Sequence, residues 1–135
     1  MRDSGLDETI TSGFRGLDGE HHVQIELLTT FRSAVAEGRP RSEVDEILDR
    51  LIDFTKVHFN SEQLLMRLYQ YPTYQQHNDD HDDTIESLQA LRHTYLAGER
   101  ELACTTADEL AEKLLAHICT ADRALGSFLV RLGVG

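Results

Sequence analysis

The chain has 135 residues, 24 of them acidic against 13 basic, and a formal net charge of −11. That length predicts one domain able to bury its own core, and the charge argues against nucleic acid or an anionic membrane as partner. No apolar run reaches the roughly 18 residues of a membrane span, MRDSGLDETITSGF at the start holds no signal-peptide segment, and the expected location is cytoplasmic.

Residues 1–17 show no clear period and read as an extended N-terminal arm, with the domain proper over 18–135. The first helix is expected from about Asp18 to Ala36, stopped by Gly38 and Pro40. Its apolar stripe is Ile25, Leu28, Phe31 and Val35. The second opens on Ser42 and Asp45, a capping signal, and runs to about Gln70 with Val44, Ile47, Leu48, Leu51, Phe54 and Leu65 on one side. Tyr71-Pro72 breaks the chain. The third follows to about Leu96, before Gly98, and carries Ile85, Leu88, Leu91 and Tyr95. The fourth opens on Thr106 and Glu109 in a capping-box arrangement and ends near Gly133. It carries Leu110, Leu114, Ala121, Leu125, Phe128 and Leu132. Steps of three and four residues mark each stripe as one helical face. Short connections make successive helices antiparallel neighbours, so the expected fold is all-α, an up-down-up-down four-helix bundle. Cys104 and Cys119 form neither a disulfide framework nor a zinc motif and read as reduced thiols.

Followed along their length, the stripes run into titratable groups. Stepping back four from Ile25 gives His21. His58 and Glu62 lie between Phe54 and Leu65, and His77 and His81 precede Ile85 at the same spacing. His117 follows Leu114, and Asp122 precedes Leu125. A carboxylate among leucines is costly unless it is paired or binds a metal. At 1.5 Å per residue, His21 lies ~5 Å from the start of its helix and His77 and His81 lie ~6–12 Å from the start of theirs. His58 and Glu62 lie ~12–18 Å, and His117 and Asp122 ~15–22 Å, from the ends of theirs. In an antiparallel bundle these ends share one side, so the seven side chains fall in one half of it. His58/Glu62 and His77/His81 are i,i+4 pairs on one face. His117/Asp122 are i,i+5, which leaves them ~140° apart on an ideal helix. Either Asp122 reaches sideways between helices or the fourth helix contains a π-bulge.

Imidazoles with carboxylates and no thiolate suit iron, manganese or zinc rather than calcium or copper(I). One tetrahedral zinc needs only four ligands; seven fit two metals bridged by carboxylates, and the excess of histidine favours redox-active iron. His22 shares its side with Glu26, Thr29 and Ser33, and His93 lies ~120° round from His81, so both read as outside the set. Asp79, Asp80, Asp82 and Asp83 lack the spacing and glycine of an EF-hand and read as a solvated helix face.

Taken together, Asp18-Gly19-Glu20-His21, His58-Phe59-Asn60-Ser61-Glu62 with Leu65-Met66, Tyr71-Pro72 with His77 and His81, and His117-Ile118 with Asp122 resemble the bacterial hemerythrins. The likeness runs from about Phe14 to Phe128. It implies a non-haem di-iron centre, oxo- or hydroxo-bridged, that binds O2 reversibly in a carrier, store or sensor. It implies His77, His81 and His117 on one iron, His21 and His58 on the other, and Glu62 and Asp122 as bridges. The iron with two histidines keeps a position open for O2, under Leu114 and Ile118. The sequence departs from the family at Lys113, where bacterial relatives commonly have tryptophan, and at Leu125, where many have tyrosine. Lys113 reads either as a surface lysine on a helix turned slightly outward or as a wetter route to the iron.

The rival reading from another class is a di-iron redox enzyme handling peroxide or NO. Oxygen-activating di-iron enzymes in bundles rely on glutamates and Glu-x-x-His pairs, and no such pair occupies the candidate positions here. The expectation is therefore an oxygen-binding protein without a catalytic residue, and any redox or signalling partner would be a separate protein.

Overall fold

The computed structural model describes residues 15–133, with side chains from residue 19 onward. Four long helices dominate it: α1 (Arg15–Ala36), α2 (Arg41–Leu68), α3 (Tyr74–Leu96) and α4 (Arg100–His117). A π-helical turn, Ile118–Asp122, carries α4 directly into α5 (Arg123–Arg131). No strand occurs among the described residues. α1 packs against α2 and α4, and α3 packs against the same two, giving a square four-helix bundle. No helix among the described residues is long and apolar enough to cross a membrane. The arm expected over 1–17 falls mostly outside the described residues, and Arg15–Leu17 are already helical.

Connections are short because each helix is stopped sharply. Gly38 takes φ +70, a region glycine enters without a Cβ clash. This lets Gly38 N–H reach the Val35 carbonyl at 3.1 Å and Arg39 N–H reach that of Ala34 at 3.0 Å, so the last α1 carbonyls are not orphaned. Arg100 donates to the Val35 carbonyl at 2.9 Å and ties the start of α4 to the end of α1.

Two expected helix starts are corrected. α2 begins at Arg41 after Pro40, and Ser42 caps nothing. α4 begins at Arg100, six residues ahead of Thr106, so the apparent capping box lies inside the helix. The break is made by Gly98 at φ +83, and the buried Ala103 and Ala107 hold the added turns against the core.

The large apolar core occupies one half of the bundle, around Leu28, Phe31, Leu48, Leu51, Leu91 and Leu110. Met66, Leu125 and Leu129 form a smaller cluster at the other end, with Tyr71 and Phe128 packed on it. Between them lies a polar layer. The π turn sets its phase. Beyond the turn two buried positions come one residue later than expected, Asp122 rather than Ala121 and Leu129 rather than Phe128, while Leu125 is buried as expected. Leu132, expected on the inner stripe, is 53% exposed.

Candidate metal centre

Each of the seven expected residues is described, and the bundle brings all of them together. His21, His58, Glu62, His77, His81 and Asp122 are buried, while the His117 side chain is 9% exposed. Their donor atoms form two overlapping groups: Glu62, His77, His81, His117 and Asp122, and His21, His58, Glu62 and Asp122. Within each group the atoms lie within 4.8 Å of one another. The π turn explains how His117 and Asp122, five apart, share a face: π-helical hydrogen bonds span five residues, and His117 Nε2 lies 3.0 Å from Asp122 Oδ1.

The two acids divide their oxygens between the groups. Glu62 Oε1 lies 2.8 Å from His81 Nε2 and 3.1 Å from His77 Nε2. Its other oxygen, Oε2, lies 3.1 Å from His58 Nε2 and 3.6 Å from His21 Nε2. Asp122 Oδ1 lies 2.9 Å from His77 Nε2, and Oδ2 lies 3.0 Å from His21 Nε2.

Distance alone would pair all of these atoms as hydrogen bonds; His77 Nε2 and Glu62 Oε1 do align as one, at 3.1 Å, but several others do not. Nε2 of His58, His81 and His117, Oε2 of Glu62 and Oδ1 of Asp122 have no hydrogen-bond partner despite their burial. Such atoms are rare in a protein interior and call for an explanation. Nitrogens and oxygens ~3 Å apart that fail to point at one another aim into a shared space, as ligands around a cation do. The donor set fits metal binding, in two overlapping groups.

Protonation follows the same geometry. Burial opposes charge on His21 and His77, but facing Asp122 and Glu62 outweighs it and pushes His21 up to about 10 and His77 up to about 9. His58 is raised too, against its burial, by Glu62 and Glu20. On His81 burial wins, helped by His77, and its pKa is lowered. Burial also opposes charge on Glu62 and Asp122, and the imidazoles overcome it, holding both carboxyls below their usual range. Without metal, protons on the histidines balance two buried acids. A bound cation would take over that role.

Three features escape a reading of the stripes. Glu20, adjacent to His21 on α1, accepts a hydrogen bond from His58 Nδ1 on α2 at 2.5 Å. A carboxylate on the far nitrogen fixes the tautomer that leaves Nε2 a free lone pair. Asp80, assigned to a solvated face, is half-buried, and its Oδ2 comes within 3.7 Å of His117 Nδ1, too far for a direct hydrogen bond. Asp79, Asp82 and Asp83 are exposed as expected. The cue for both acids is chemical rather than periodic: a ligating histidine needs an acceptor for its second nitrogen. The third is the buried pair Gln24 and Thr55, which no titratable pattern marks.

Leu114 and Ile118 pack with Ile25 into a buried apolar cluster, and Ile25 lies one turn along α1 from His21. Lys113 does not join it. It is exposed and lines an open cleft of about 320 Å³ between α3 and α4, with Asp80, Asp83 and His117. Water can approach His117 there, on the outer side of the centre. Leu125 is fully buried with Met66 and Leu129. His22 and His93 belong to neither donor group, and neither Cys104 nor Cys119 is in a disulfide. A cleft of about 1040 Å³ lies at the opposite end against Arg32, Val35 and Arg100 and contains none of the donors.

Comparison with known proteins agrees with this geometry. The family model of the hemerythrin HHE cation binding domain matches residues 12–129. A bacteriohemerythrin of Methylococcus capsulatus is 30% identical over 83% of this chain and 85% of its own. Another, of Ralstonia nicotianae, is 28% identical over 93% and 88%, and one of Stenotrophomonas maltophilia is 28% identical over 87% and 75%. No solved structure gives a significant match.

Proposed function

The chain belongs to the hemerythrin family, and on that premise we propose that it binds O2 reversibly at a carboxylate-bridged, non-haem di-iron centre. One observation carries the reading: each buried acid turns one oxygen to the first group of histidines and the other oxygen to the second.

His77, His81 and His117, with Glu62 and Asp122, would hold one ion, and His21 and His58, with the same two acids, would hold the other. The first group brings five protein donors and the second four, so the second leaves room for a small ligand. Iron held there would supply the redox chemistry, lending electrons to O2 on binding and taking them back on release. Glu20 keeps the His58 proton on Nδ1, so Nε2 faces inward as a ligand. Ile25, Leu114 and Ile118 exclude bulk water, which preserves the low dielectric that makes an unbalanced charge costly. Five histidines and two acids hold metal without offering an acid or base to a substrate, which supports a binding protein over an enzyme.

The test is metal analysis with one optical experiment. The purified protein is expected to hold two irons per chain. Reduced under argon, it should gain a visible absorption band in air and lose it when O2 is removed. One zinc and no iron, in protein made with adequate iron, would overturn the reading. A band that never reverses would instead favour the peroxide- or NO-handling enzyme.

A further inference from the structure

We propose that Gln24, held by Thr55, anchors a water molecule inside the bundle beside the His21–His58 group, and that this water hydrogen-bonds a small ligand bound there. The inference rests on the functional reading above. Gln24 is 1% exposed and Thr55 is fully buried. Gln24 Nε2 donates to Thr55 Oγ1 at 3.2 Å, while Gln24 Oε1 is buried with no hydrogen-bond partner.

Position ties this pair to the centre. Gln24 lies three residues after His21 on α1, and Thr55 three before His58 on α2, with the two imidazole rings 5.0 Å apart between centroids. The amide–hydroxyl rung therefore lies one turn from the ring pair, ~4.5 Å along the bundle. Helical side chains lean toward the N-terminus of their own helix, so Gln24 leans toward the level of His21 and His58 toward that of Thr55. Ile25, one residue from Gln24, belongs to the apolar wall with Leu114 and Ile118.

Leaving an amide oxygen unbonded in such surroundings is destabilising, and an aliphatic pair would fill the space without that cost. Exchanging the amide nitrogen and oxygen does not remove it. With Thr55 donating to Oε1, the amide N–H2 would be left instead. A water satisfies either orientation. Donating one hydrogen to Oε1, it keeps the second for a ligand that can only accept.

Azide is such a ligand. Its affinity for the oxidised, iron-loaded protein should fall about tenfold in Gln24→Leu and in Thr55→Val, the worth of one hydrogen bond to a charged group, with iron content unchanged. A crystal structure of the wild type should show a water within hydrogen-bonding distance of the Gln24 amide, absent from Gln24→Leu. Unchanged azide affinity in both variants, even with a higher melting temperature, would mark the rung as packing only and overturn the inference. A dry amide in the wild type would overturn it whatever the iron content. Wild-type protein that takes up no iron defeats the functional reading and the ligand contact together, and the water is then judged by the crystal structure alone.

Discussion

At Glu62 the two carboxylate oxygens face different neighbours, Oε1 toward His77 and His81, Oε2 toward His21 and His58. Substitution there removes a donor from both groups, whereas substitution of His21 touches one. Glu62→Ala should therefore lose both irons, and His21→Ala should keep the one held by His77, His81 and His117. Iron per chain, measured on protein purified in parallel, checks this. Retention of two irons by Glu62→Ala would count against a bridge. Removing either acid also leaves the surrounding imidazoles without the charge that balances them, a large penalty in a buried site. Lys113 is a contrasting case. Its exposure and its place in the outer cleft separate it from the apolar wall, so the polar group that acts inside the pocket is Gln24.

The π turn is the feature of the fourth helix that positions its acid. Removing Thr120, whose exposed hydroxyl only donates to the Ala116 carbonyl at 2.8 Å, would relax the turn to α. Asp122 would then stand four residues from His117, on the same face, and Leu129 would rejoin the straight-helix stripe. Inserting one alanine after Thr120 does the reverse, turning Asp122 and all of α5 by about 100°. The deletion variant should hold iron near the wild-type ratio and melt cooperatively. The insertion variant should lose iron and melt at lower temperature. Equal damage from the two would refute the phase argument. This element also shows what the residue pattern can and cannot convey. His58/Glu62 and His77/His81 stand at α-helical spacing, so their faces are legible directly. His117 and Asp122 at i,i+5 fit either a sideways reach or a π turn, and only coordinates choose. The helix starts depart from the sequence expectation for a related reason. Thr106 and Glu109 match a capping pattern that short polar residues also form within a helix, while the true stop, Gly98 with φ +83, marks the break more strongly. Glu20, Asp80 and Gln24 were illegible because their roles depend on which neighbour each helix turns toward them.

As a whole the molecule has two unlike halves: a broad apolar core around Phe31, Leu48 and Leu91, and a polar layer capped by Met66, Leu125 and Leu129. The first resembles any well-packed bundle and owes nothing to metal. The second concentrates buried acids and imidazoles, screened from bulk water except along the His117 edge. Metal removal should therefore loosen one half more than the other. Ions present at a thousandfold excess over their dissociation constant stabilise the fold by about 4 kcal/mol each. For a chain of this size, that corresponds to a drop in melting temperature on the order of 10 °C or more after chelation under reducing conditions. Hydrogen exchange should rise around His21, His58, His81 and Asp122 and stay slow around Leu48 and Leu91. Uniform loosening along every helix would show that the core leans on the metal throughout.

Glu20 and His21 are consecutive on α1, yet Glu20 steadies a histidine of α2 while His21 joins the second donor group. The first donor group draws only on α2, α3 and α4 with its π turn. Assembly therefore has a direction. A three-helix cradle can take the first ion before α1 is seated, but the second is captured only when α1 docks and brings both residues at once. Stepwise addition of a divalent ion to metal-free protein should then leave α1 amides exchanging freely after the first equivalent and protect them with the second. Simultaneous protection of all four helices at the first equivalent would show that α1 is already locked in place before any metal arrives.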